Sequence, residues 1–113
     1  MPLKRVILEM GTGNDLHGGD YTKAAIRAVN DALHHSSLGI TRAIGADIES
    51  MQVEVTIGVQ EPGKVDTDAV KATLPHGQVV VKAVKGGVDV PDENSGDFAI
   101  IANAAIVVKL ELP

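Results

Sequence analysis

The chain has 113 residues, 44% of them apolar, which is enough for one domain with a core and too little for two. It contains no cysteine, which excludes disulfides and thiolate metal sites and suits a reducing, cytosolic setting. A net charge of −5 with Tyr21 and Phe98 as the sole aromatics leaves neither a basic stripe for phosphates nor a stacking platform, so nucleic acid is not an expected partner. No run approaches the roughly 20 apolar residues of a membrane span, and residues 1–9 lack the apolar length of a secretory leader.

Val6–Met10 reads as a first strand that runs into Gly11-Thr12-Gly13-Asn14-Asp15-Leu16-His17-Gly18-Gly19-Asp20, a glycine-rich loop. Asp20 has the chemistry of an N-cap. From Tyr21 to about Leu38, Ala25, Val29, Ala32 and Leu33 recur at helical spacing, with Lys23, Arg27, Asn30 and His34 on the wet face. Ile40, Ile44 and Ile48 suggest a helical turn or packed loop, weakened as a helix by Gly45. Met51–Val59 alternates as a strand, and Pro62-Gly63 turns the chain. Asp66 caps a short helix through Ala69, Val70 and Leu74 that Pro75 ends. Gln78–Val84 is a third strand and Phe98–Leu110 a long fourth, joined by a mobile, acidic hairpin connection over 86–97.

The order β-α-β-α-β-β predicts a two-layer α+β domain, a four-stranded mixed sheet with two helices on one face. Both alternating sets of the fourth strand are apolar, Phe98, Ile100, Ala102, Ala104, Ile106, Val108 and Leu110 against Ala99, Ile101, Asn103, Ala105 and Val107. Helices cover only one sheet face. The other, roughly 400 Å² of it, is expected to be covered by further copies of the chain in a homo-oligomer, with a trimer-based assembly preferred. The competing expectation is that the 40–50 segment covers the C-terminal half of the fourth strand.

The loop spacing fits neither a dinucleotide fingerprint nor a Walker loop. An anion cradle at the helix start is opposed by Asp15 and Asp20. Metal binding by Asp15, His17 and Asp20 offers one nitrogen only, since His34 and His35 diverge by about 100° on the helix and His76 lies beyond its ending proline. No cofactor and no metal are therefore expected. Two readings of Asp15 and His17 stay open. In one, Asp15 orients His17 for acid-base catalysis on a small polar substrate; in the other, Asp15 closes an Asx-turn and His17 bonds the backbone. Gly11, Gly13, Asn14, Gly18 and Asp20 line the expected cleft, Gly11 and Gly13 mainly as conformational residues. Asn103, a polar break in an apolar strand, and Lys82, a cation between apolar neighbours, are candidate ligand contacts; in the plainer reading Asn103 bonds its surroundings and Lys82 reaches solvent. The acids Asp89, Asp92, Glu93 and Asp97 lack the ligand order of a calcium loop and read as a solvated hairpin.

Gly11-x-Gly13-x-Asp15-x-His17-Gly18 after the first strand, with Asn103-Ala104-Ala105 near the end, resembles a small uncharacterised family of bacteria and plants defined by a G-x-G-x-D-x-H-G motif. That resemblance implies a fold and a motif and no reaction. The element order is similar to that of chorismate-mutase-like and YjgF-like trimeric domains, which implies ligand clefts between subunits. A looser resemblance, of Gly11–Tyr21 to one unit of cyanuric acid hydrolases and barbiturases, implies a serine and lysine pair, here Ser50 with Lys82 or Lys85. The reading is thus small-molecule binding at a subunit-interface cleft, either as a hydrolase or deaminase-like enzyme with His17 as acid or base, or as a non-catalytic ligand-binding or assembly protein.

Overall fold

Alternation of apolar and polar residues governs most of the fold. The computed structural model describes residues 3–34, 50–74 and 77–111. Its elements are β1 (Leu3–Asp15), α1 (Tyr21–His34), β2 (Gln52–Val59), a 3-10 turn (Pro62–Lys64), α2 (Thr67–Lys71), β3 (Gln78–Lys85), β4 (Val88–Pro91) and β5 (Phe98–Glu111). The segment 40–50 and the residues His35, Pro75 and His76, on which expectations were placed, lie outside the described residues, save Ser50.

The sheet has five strands, not four, in the order β1-β5-β2-β3 with β4 on β5. The addition is β4, which pairs antiparallel with β5 from Val88↔Ile101 to Pro91↔Phe98 inside the stretch read as a mobile connection. The second correction concerns β1, which continues through Gly11 and Gly13 to Asp15, so that half of the expected loop is strand. β5 is inserted between β1 and β2 and runs antiparallel to both, while β2 and β3 are parallel and joined by the 3-10 turn and α2. The result is a mixed α+β sheet with α1 on one face.

The covered face is the core. Ile7, Val53, Val55, Ile57, Val59, Val79, Ile100, Ala102, Ile106, Val108 and Leu110 are buried in one cluster with Ala24, Ala25, Ala28, Val29 and Ala32 of α1 and Val70 of α2. α1 lies very close to β1 because both surfaces are small. A Cβ on Gly13 would stand 2.2 Å from the Ala28 nitrogen and 2.4 Å from the Ala24 oxygen, and one on Gly11 would stand 2.4 Å from the Ala28 oxygen. Both helices are capped as their sequence demands. Asp20 Oδ1 accepts from the Lys23 N–H at 3.0 Å, and Asp66 Oδ1 from the Ala69 N–H at 3.1 Å.

The opposite face carries no helix among the described residues. Register places Leu8, Val107, Glu54 and Val80 in one row across it, Met10, Ala105, Thr56 and Lys82 in the next, and Thr12, Asn103, Gly58 and Val84 in a third. Leu8, Met10, Val80, Val84, Val88, Val90 and Ile101 are all exposed there, Met10 at 70% and Val80 at 65%. Dryness on both sides of β5 is therefore incomplete in a single chain: its even residues from Ile100 to Leu110 are buried, while Ile101 and Asn103 are exposed.

Candidate functional site

The turn from β1 to α1 is held by Asp15. At 4% exposure it is the buried charged residue of the described core, and its Oδ2 accepts the Asp20 N–H at 2.9 Å. Its Oδ1 lies 3.8 Å from Arg27 Nη1, a nitrogen that also donates to the Asn14 carbonyl at 2.7 Å. Gly18 and Gly19 follow with φ of 93° and 64°, a left-handed pair that turns the chain into the helix. Asp15 thus spends its oxygens on the backbone and on Arg27. Substituting Asp15→Ala strands the Asp20 N–H and is expected to cost about 1–3 kcal/mol, read as a lowered denaturant midpoint.

His17 points elsewhere. Its side chain is 89% exposed and its Nδ1 lies 3.9 Å from Asp97 Oδ2, which also accepts the Gly18 N–H at 3.3 Å. The carboxylate beside the imidazole is therefore Asp97 and not Asp15, because Asp15 lies on the helix-covered face of β1 and His17 stands beyond the strand. Asp20 is occupied as the helix cap. Among the described residues no group of three or more histidines and acids is placed to hold a metal ion.

Beneath this turn lies a polar cluster that sequence reasoning missed. The Tyr21 ring is buried at 2% exposure, and its hydroxyl donates toward Glu61 Oε2 at 3.0 Å and toward Asp89 Oδ2. One phenolic proton serves one carboxylate at a time. Asp89 Oδ1 is buried with no hydrogen-bond partner among the described residues. Burial, then the hydrogen bonds to Asp89 and Glu61, push the Tyr21 hydroxyl well above the usual phenol range. The Tyr21 hydroxyl, aided by Lys64 Nζ at 3.3 Å, holds the Glu61 carboxyl below the usual carboxylate range. In the adjoining turn, the Asn94 N–H and the Ser95 hydroxyl lower the Asp92 carboxyl likewise. A lone tyrosine at the start of a helix was the available signal; its partners are 40 and 68 residues away.

The remaining candidates meet on the open sheet face. Asn103, Thr12 and Gly58 share a row, and with Met10, Gly11, Thr56, Val84 and Lys85 they line a hollow of about 710 Å³. Its rim includes Asp31, whose Oδ2 accepts the Thr12 N–H at 2.9 Å. Lys82 lines a neighbouring hollow of about 330 Å³ with Glu54, Thr56 and Val80. Asn14, paired with Ile101, belongs to this face too. The expected cleft thus divides: Asn103, Asn14, Lys82 and the Gly11 backbone gather on the open face, while Asp15, His17, Gly18 and Asp20 form the turn at its end. Ser50 is not among the residues lining either hollow beside Lys82 or Lys85. Thr12 and Thr56, which sequence reasoning passed over, become visible once register puts them beside Asn103.

Comparison with known proteins places the chain. Residues 5–108 match the model of a family described as conserved hypothetical protein, Lin0512_fam, and the chain belongs to that family. It is similar to a crystal structure described as an FtsZ-like protein of unknown function from Nostoc punctiforme, at 36% identity and a TM-score of 0.86, over 99% of each chain. No curated protein matches the chain.

Proposed function

We propose that this member of the conserved hypothetical family is a ligand-binding or assembly protein that holds a small polar molecule on the open face of its sheet. The observation that carries this reading is the hollow of about 710 Å³ in which Thr12, Thr56 and Asn103 converge among apolar neighbours. That size and mixture suit a small metabolite, and the hydroxyls and amide offer donors to a carboxylate or cyclic amide. Native mass spectrometry of protein purified without added ligand tests this. A retained small molecule is expected, with occupancy reduced roughly tenfold or more in Asn103→Ala at unchanged circular dichroism. A wild-type chain that retains nothing and shows no thermal shift with a panel of small carboxylates and cyclic amides contradicts it.

A second reading, a hydrolase or deaminase-like enzyme, draws support from one feature, the exposed His17 imidazole beside Asp97. His17 would then transfer the proton and Asp97 would orient it, with Asp15 confined to holding the turn. Loss of turnover in His17→Ala on such a panel, with folding intact, would favour it; equal rates would dismiss it.

A further inference from the structure

We infer that the open sheet face is closed by the same face of a second copy, about a two-fold axis passing near Thr56. This deepens the binding reading by naming the partner that roofs its hollow. The apolar residues are aligned rather than scattered: Leu8, Val107 and Val80 lie in one row, Met10 and Ala105 in the next, and Ile101 with Val88 continues the surface along β4. Single exposed apolar residues are ordinary; a sheet face that gathers Leu8, Met10, Val80, Val84, Val88, Val90 and Ile101 marks an interface.

The area is sufficient. Four strands about 4.8 Å apart and about eight residues long at about 3.3 Å each give roughly 500 Å² per copy. A pair therefore removes about 1,000 Å² before the β4 extension is added, which is where specific interfaces begin.

Charge selects the occupant. The whole chain carries a net charge of −5, yet the central rows of this face bear one acid, Glu54, and one base, Lys82, on neighbouring strands two residues out of step. Glu54 Oε1 already meets Lys109 Nζ at 3.2 Å, whereas Lys82 has no ion-pair partner among the described residues. An isologous interface needs a self-complementary surface. A two-fold axis between these two positions sets Glu54 of one copy against the partner's Lys82, and Lys82 against the partner's Glu54, with the apolar rows meeting around them. The same pairing places the two hollows, which share Thr56, on either side of the axis.

Sedimentation velocity on the full, ligand-free chain at micromolar concentration is the test. The wild type is expected as a dimer or a dimer of dimers. Val80→Glu, which buries an unpaired carboxylate in the interface, is expected to raise the dissociation constant roughly a hundredfold. Lys82→Glu is expected to weaken association at least about tenfold and Glu54→Lys in the same chain to recover it, with circular dichroism confirming the fold of each variant. A monomer, a trimer, or an assembly indifferent to Val80→Glu overturns the inference. Assembly without a retained molecule would sink the binding reading alone, and a monomer that retains one would sink this inference alone.

Discussion

Gly13→Ala is expected to destabilise the chain by about 3 kcal/mol or more, a large share of the roughly 5–15 kcal/mol that holds a domain of this size. The new methyl would meet the Ala28 nitrogen at 2.2 Å and the Arg27 carbonyl carbon at 2.6 Å, both main-chain atoms that no side-chain rotation can clear. Relief requires α1 to lift from β1, which opens the alanine-lined seam of Ala24, Ala28 and Ala32 to water. In thermal denaturation the midpoint is expected to fall by roughly 10–20 °C. Gly63→Ala is the control, because nothing lies within 4 Å of its added carbon. If Gly13→Ala and Gly63→Ala melt alike, the seam is not what holds the helix to the sheet.

The second large effect is alkaline. Tyr21 is the single tyrosine of the chain and there is no tryptophan, so phenolate absorbance reports this group alone. Its folded pKa is raised by burial and by Asp89 and Glu61, whereas an unfolded tyrosine ionises near ~10. A raised folded value means that the unfolded chain loses the proton first. The stability contributed by the neutral phenol is therefore complete below ~10 and is lost as pH climbs through the folded value. Phenolate is expected to appear together with loss of circular dichroism, at the rate of unfolding, and not before. Phenolate formed near ~10 in a chain that stays folded contradicts the cluster. Tyr21→Phe, which removes the one shared proton between Glu61 and Asp89, is expected to cost about 1–3 kcal/mol. Asp89→Asn is expected to cost less, since an amide can donate to the phenol oxygen while a carboxylate cannot.

Where a period ran long enough, the sequence was legible. β2 follows its alternation, β3 and β5 follow their apolar runs of valine, isoleucine and alanine, and α1 follows its alanine and valine spacing from a cap that Asp20 supplies. β1 was cut short because Gly11 and Gly13 look like loop residues until their neighbours are known; those neighbours, Ala28 and Ala32, lie on a helix further along the chain. β4 is four residues between Gly86-Gly87 and the turn after Pro91, too brief to stand out by period. Asp15 and His17 are two residues apart, which invited a pair. Asp15 is the last residue of β1 and faces the core, so residues so close in sequence part company at its end. The Tyr21, Glu61 and Asp89 cluster joins three elements and leaves no local pattern at all.

Methionine oxidation tests the central claim, that the open face is an interface, most directly. Met10 is 70% exposed in the single chain and Met51 is 4% exposed, so one chain contains both a probe and a buried reference. In dilute peroxide at micromolar protein, read by peptide mass spectrometry, Met10 is expected to oxidise nearly as slowly as Met51 and to become reactive in Val80→Glu. Rapid sulfoxide formation at Met10 in the wild type, at a rate unchanged by Val80→Glu, would contradict the account.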